Sequence, residues 1–209
     1  RIDSDTREQM KGEVAELAGV SPERLRDELF RILEGPKPGT SMRALEMLGV
    51  LPYLLPELTA LVGFEQPVPH VHDAWKHSLA TLNRLEEILA VLAPDYDPES
   101  TGDLFTGLLV TRLGRFREQI ATHFDAPLNA DRSVRALLFL AALYHDVSKP
   151  DSKTIDESGR VRFPGHENQG AEVAVRRAKK LHLSNDEIER LNLVIRHHMR
   201  LHQHTKQME

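Results

Sequence analysis

The chain has 209 residues, a hydrophobic share of 40%, a charged share of 28% and a formal net charge of −5 with histidine neutral. That length holds one large domain or one domain with a smaller helical piece, and the composition excludes a disordered chain. There is no cysteine, so disulfides, thiolate metal sites and cysteine nucleophiles are ruled out together, and the net charge gives no global pull toward nucleic acid.

No apolar run approaches the ~20 residues of a membrane span and no signal-peptide pattern opens the sequence. A cytoplasmic protein with no membrane contact is expected, and a chain starting at Arg1 rather than Met reads as a fragment of something longer. Ser21-Pro22-Glu23 spells a helix start, with a cap, a proline at the first position and an early carboxylate. Leu25, Leu29, Ile32 and Leu33 follow at helical spacing, and the stretch from Gly35 to Gly39, with two prolines, predicts a break. A short helix carrying Ala44, Leu45 and Leu48 stops at Gly49, and a third apolar piece is punctuated by Pro52 and Pro56.

After a linker with Gly63, Pro67 and Pro69, the pattern predicts a long helix from about Asp73 to Ala93. Trp75, Leu79, Leu82, Glu86 and Leu89 share one side; His77 falls roughly opposite, toward water or a second packing partner. A polar loop over 94–102 leads to a further helix expected from Asp103 to about Phe124, with Arg112, Arg115 and Arg117 nearby. Ala136 to Tyr144 then carries no charge at all, and a helix apolar on every face belongs at the centre of a domain. Asp131 and Ser133 are its candidate caps and Pro150 its expected end.

At the deep end of that helix stand His145, Asp146 and Lys149. A buried Asp beside a His needs a partner, and a divalent metal is one. A hairpin is expected around Glu157-Ser-Gly159, and a helix over 165–183 with Ala171, Ala174, Val175, Ala178 and Leu181 inside. The last helix starts from the capping box of Ser184 and Glu187 and ends in His197-His198. With no repeat and no parallel strand, the fold class is all-α.

Of the eleven histidines, His123, His182, His202 and His204 are read as ordinary surface or satisfied core residues. His77, His145, His166, His197 and His198 lie at helix ends or turns, where side chains from several helices can converge on one ion. Imidazole and carboxylate without thiolate suit Mn²⁺, Fe, Co²⁺, Ni²⁺ or Zn²⁺, and Mg²⁺ where water fills several positions.

Trp75-Lys-His77-Ser-Leu79, Tyr144-His145-Asp146-Val-Ser-Lys149-Pro150, Phe163-Pro-Gly165-His166-Glu167 and Ile195-Arg-His197-His198-Met199 resemble, in that order, the motifs of the HD superfamily of metal-dependent phosphohydrolases. The wording is most similar to the HD region of bacterial tRNA nucleotidyltransferases (CCA-adding enzymes) and poly(A) polymerases. Ser21 to Leu29 and Met42 to Pro52 are similar to the RNA-binding helical segment that precedes that region. The resemblance covers roughly residues 20–200 and implies an HD helical bundle over 67–209, truncated at its C-terminal end, after a helical segment over 1–66.

Carried over position by position, it implies His77, His145 and Asp146 as metal ligands, and His166 and His198 as further ligands or phosphate contacts, ahead of His197. It implies a divalent metal (Mg²⁺, Mn²⁺, Ni²⁺, Co²⁺ or Fe), with Asp146 and Lys149 catalytic and Lys149 neutralising a substrate phosphate. Glu167 is a candidate to orient a ligating imidazole. The implied substrate is a nucleotide or an RNA 3′-end phosphoester, with tRNA as a partner. HD sites usually take a final Asp from a later helix; none follows Asp186 here, so that ligand is expected beyond Glu209. The nucleotide-adding head is expected to be absent, because Asp95-Tyr-Asp97 sits between prolines with no Gly-Ser turn before it.

Arg176-Arg177-Ala-Lys179-Lys180 reads as a solvated face or as a phosphate track, with Arg176 and Lys180 as its RNA contacts. The alternatives are a catalytically inert RNA-binding module of the same family and, third, an HD-fold di-iron oxygenase.

Overall fold

The structure is a computed structural model that describes residues 3–68, 71–97, 103–129 and 131–200. In chain order its helices are α1 (Ser4–Glu13), α2 (Pro22–Glu34), α3 (Pro38–Met47) and α4 (Leu51–Leu54), followed by a 3₁₀ segment Pro56–Leu61. Then come α5 (Ala74–Val91), α6 (Leu104–Leu113), α7 (Arg117–Phe124) and α8 (Val134–Tyr144). The last are α9 (Lys149–Ser152), α10 (His166–Lys180) and α11 (Asn185–His197). Two small antiparallel pairs complete it, β1 (Pro127–Asn129) with β2 (Arg132–Ser133), and β3 (Thr154–Ile155) with β4 (Val161–Arg162).

The uncharged stretch is the central helix. Ser133 caps α8 by accepting from Ala136 N at 3.1 Å, and Ala136, Leu137 and every residue from Phe139 to Tyr144 are buried. Helices α2, α5, α10 and α11 all pack on it. One hydrophobic core runs from Leu29, Leu33 and Leu58 through Leu140 to Leu191 and Ile195. The first sixty residues therefore share their core with the later helices.

Local chemistry explains the boundaries. Asp73 caps α5 through Lys76 N, and Asp103 caps α6 through Thr106 N. The capping box of Ser184 and Glu187 is present in both directions. Three expectations need correction. The break predicted over 35–39 ends at Lys37, because Pro38 is pre-set for a first helical position and opens α3. The single helix expected over 103–124 is interrupted by a 3₁₀ turn at Gly114–Phe116, where the poor helix former Gly114 ends α6. The central helix stops at Tyr144, and Pro150 lies inside the first turn of α9 instead of ending α8. The β1–β2 pair had no pattern long enough to announce it. Asp95 and Asp97 stand in a non-strand turn, and His202 and His204 lie outside the described residues.

Candidate metal centre

Three helix ends and one helix face meet at Asp146. His77 projects from α5 on the side away from Trp75 and Leu79, and its Nε2 is 3.6 Å from Asp146 Oδ2. His145 and Asp146 follow the end of α8, with His145 Nε2 3.1 Å from the same oxygen. His166 opens α10 behind Gly165, whose left-handed φ of 72° makes the turn into the helix. Its Nε2 is 3.4 Å from Asp146 Oδ1, and that of His198, just past α11, is 3.9 Å from it. The five side chains form two donor groups, His77, His145 and Asp146, and Asp146, His166 and His198, with the atoms of each within 4.8 Å of one another. Asp146 belongs to both. His197 belongs to neither.

Each inner imidazole is held from behind. Nδ1 of His145 donates to the Ala142 carbonyl at 2.8 Å, that of His166 to Phe163 at 2.8 Å and that of His198 to Ile195 at 2.6 Å. A carbonyl only accepts, so Nδ1 carries a proton, and in the neutral ring Nε2 is left as a lone pair aimed at the cluster. This is the backing that metal-ligating histidines receive from a main-chain acceptor. Backbone carbonyls therefore do what Glu167 was expected to do; its carboxylate approaches His166 Nδ1 only to 3.5 Å.

Asp146 is 2% exposed. Burial pushes its carboxyl up, but the facing rings of His145 and His166 and the charge of Lys149 outweigh that and hold it far below the usual carboxylate range. Burial also lowers His166, yet its hydrogen bonds to Asp146 and to the Phe163 carbonyl leave it raised; His198, lowered first by burial, stays below its ordinary value. Lys149 Nζ lies 2.7 Å from Asp146 Oδ2 but directs its hydrogen bond to Gln66 Oε1, also at 2.7 Å. Oδ2 is left buried without a hydrogen bond of its own. A buried carboxylate whose two oxygens face four imidazole Nε2 atoms fits a divalent cation, and the all-N/O donor set suits the metals that need no thiolate.

The remaining cations lie elsewhere. Arg177 is half-buried and grips Glu57 with two nitrogens, Nη2 to Oε1 at 2.7 Å and Nε to Oε2 at 2.9 Å, while Tyr144 Oη donates to Glu57 Oε2 at 3.1 Å. It is therefore a tie between segments, not part of a phosphate track. Arg176 and Lys180 are exposed and border a cleft of about 300 Å³ with Glu57 and Asp151 on its other side. Gln66 was not foreseen. It lies in a polar linker 83 residues before the lysine it touches, and nothing in its neighbourhood signals that contact.

Residues 74–209 match the HD domain family, and residues 1–62 match the family described as "Probable RNA and SrmB- binding site of polymerase A". The chain belongs to the HD-domain family. It is 33% identical over 178 residues to the CC-adding tRNA nucleotidyltransferase of Thermus thermophilus, covering 85% of this chain and 31% of that protein. It is 28% identical over 178 residues to the A-adding tRNA nucleotidyltransferase of Deinococcus radiodurans, with the same coverage. The Multifunctional CCA protein of Halorhodospira halophila is 29% identical over 187 residues, 90% of this chain and 34% of that one. The chain thus spans about a third of the length of these relatives. It is a helical HD module related to tRNA nucleotidyltransferases, and among the described residues no helix is long and apolar enough to cross a membrane.

Proposed function

We propose that this chain is a metal-dependent phosphohydrolase of the HD type, acting on a nucleotide or on the terminal phosphoester of an RNA. The observation that carries it is the buried Asp146 carboxylate facing the Nε2 atoms of four histidines, three of them fixed by main-chain carbonyls. His77 and His145 would hold a divalent ion (Mg²⁺, Mn²⁺, Ni²⁺, Co²⁺ or Fe) on the Oδ2 side of Asp146, and His166 and His198 on the Oδ1 side. Such an ion supplies Lewis acidity and a water whose pKa falls toward ~7. Asp146 stays ionised because Lys149 and the rings hold it so. Lys149, fixed by Gln66, adds the positive charge that offsets a phosphate beside it. Residues 1–66 form the RNA-facing segment before the HD region, and the names of the relatives support tRNA as the RNA, acted on at its 3′ end in this reading. The test is hydrolysis of bis-p-nitrophenyl phosphate and of 2′,3′-cyclic nucleotides with Mn²⁺, Ni²⁺ or Mg²⁺ added. Turnover is expected in the wild type and not in Asp146→Asn; wild-type rates equal to that variant with every metal reject the proposal.

A second reading, an inert RNA-binding module, is favoured by the match over residues 1–62 and by the exposure of Arg176 and Lys180. It expects salt-dependent tRNA binding that weakens in Arg176→Glu and Lys180→Glu. Absence of binding at low salt rejects it.

A further inference from the structure

We infer that Phe64 and Phe163 form a nucleobase-stacking subsite at the edge of the metal centre, and so set the substrate class as a phosphoester that carries a base. The inference rests on the hydrolase reading only for what happens to the phosphate. The base contact stands on separate geometry.

The two rings come from unrelated parts of the chain, Phe64 from the linker before α5 and Phe163 from the turn before α10. They meet edge-to-face, with centroids 6.1 Å apart and planes at 61°. Both are half-buried, so neither is sealed into the core. Phe163 is tied to the metal centre in two ways. Its carbonyl accepts the Nδ1 proton of His166, and Lys149, 2.7 Å from Asp146 Oδ2, places its ammonium 5.5 Å from the centre of the ring. The ring is thus one lysine away from the buried carboxylate.

Phe64 is pinned as firmly. Its N–H donates to Leu61 at 3.1 Å and its carbonyl accepts from Ala74 at 2.9 Å, so the linker folds back on itself at this residue. The exposed Lys153 lies over the Phe64 ring, 5.5 Å from its centroid. An exposed ammonium on a half-exposed aromatic face is readily exchanged for a base, which stacks on the same π surface. The displaced Lys153 then pairs with a phosphate of the same substrate. Two aromatic rings, one exposed cation and one buried cation next to the candidate metal centre make up what a nucleotide needs: a stacking face for its base and positive charge for its phosphates.

The test uses a fluorescent base, 2-aminopurine, whose emission is quenched on stacking. It is offered as the free ribonucleoside 5′-monophosphate and as the 3′-terminal residue of a short single-stranded RNA. Quenching is expected with the wild-type chain, reversed by AMP at roughly a tenth of the concentration of ribose 5-phosphate required. The arm that quenches at lower concentration tells whether the subsite takes free nucleotides or RNA ends. Phe64→Leu, which keeps the packing volume without the π face, is expected to weaken binding about tenfold, and Phe64→Trp to restore it. Each variant is first matched to the wild type by thermal melting. Equal competition by ribose 5-phosphate and AMP, no quenching by the wild type, or unchanged quenching in Phe64→Leu overturns the inference. A chain that binds the base but hydrolyses nothing loses the hydrolase reading and keeps this one.

Discussion

His166 Nε2 stands 3.3 Å from His198 Nε2, and each ring has already given its Nδ1 to a carbonyl three residues back along the chain. Two neutral imidazoles in that arrangement point lone pair at lone pair, so the pair holds together only around a proton or a cation. Divalent metal should therefore stabilise the fold and release protons as it binds. With Mn²⁺ or Ni²⁺ at a hundred times its dissociation constant, linkage adds ~2.7 kcal/mol. For a chain of this length that raises the melting temperature by several degrees. Calorimetry in two buffers of different ionisation heat reads the protons. In Asp146→Asn, both the shift and the binding heat should fall away, with affinity lower by on the order of a hundredfold or more. A melting temperature indifferent to every metal would show that the cluster is packing.

The five side chains that meet at the candidate site could be singled out in the sequence, because His77, His145, Asp146, His166 and His198 sit in motifs whose order is specific. Their convergence was legible only through that resemblance; the helical spacing alone left the direction of His77 open. The central helix was readable since nine uncharged residues in a row have only one stable location. What sequence hid are the long-range polar ties. Gln66 to Lys149, Glu57 to Arg177 and Arg132 to Glu187 each join residues 55 or more positions apart, and no periodicity marks a polar pair across such a gap. Gly114 is one poor helix former inside an otherwise continuous pattern, and a single glycine does not by itself mark a break.

Arg132 and Glu187 are one such tie. Glu187 is 0% exposed and Arg132 7%; Nε and Nη2 reach the two carboxylate oxygens at 2.5 and 3.0 Å. Removing one partner strands a buried charge, so Arg132→Met should cost about 3–5 kcal/mol in urea unfolding near neutral pH. Burial pushes the Glu187 carboxyl up, but Arg132 and the Ser184 backbone bring it below its ordinary 4.5. A depressed carboxylate contributes stability that is complete above its unfolded pKa and lost as pH falls through the folded one. The gap between wild type and Arg132→Met should therefore be full above about pH 5.5 and shrink as the solution is acidified past 4.5. A gap that widens in acid would contradict the assignment.

Glu57 joins the segment before α5 to the HD region. Its carboxylate takes Arg177 on both oxygens and Tyr144 Oη on one, so three parts of the chain depend on one side chain. A double-mutant cycle with Glu57→Gln and Arg177→Met should give a coupling of about 1.5–3 kcal/mol, as for a charge-assisted bidentate pair. Additive effects of the two changes would mean that the contact contributes nothing to holding the segments together.

Two glycines inside helices should respond in opposite ways to alanine. Gly170 lies in α10 against the end of α8, and a Cβ there would meet Val147 Cγ1 at 3.5 Å, the His145 carbonyl at 3.7 Å and Ile195 Cγ2 at 3.7 Å. Those are ordinary van der Waals contacts, so the gain in helix propensity, ~0.5–1 kcal/mol, should come through as added stability. Gly39 lies in α3 where it crosses α5. A methyl there would run into the Asn83 side chain and come within 3.3 Å of the Leu79 carbonyl. Asn83 can swing aside but the carbonyl cannot, so Gly39→Ala should cost about 1–3 kcal/mol as overpacking. Denaturant midpoints of the two variants, taken together, check the packing of α3 on α5 and of α10 on the turn after α8. If Gly170→Ala is the destabilising one of the pair, then α10 approaches the His145 turn more closely than these distances describe.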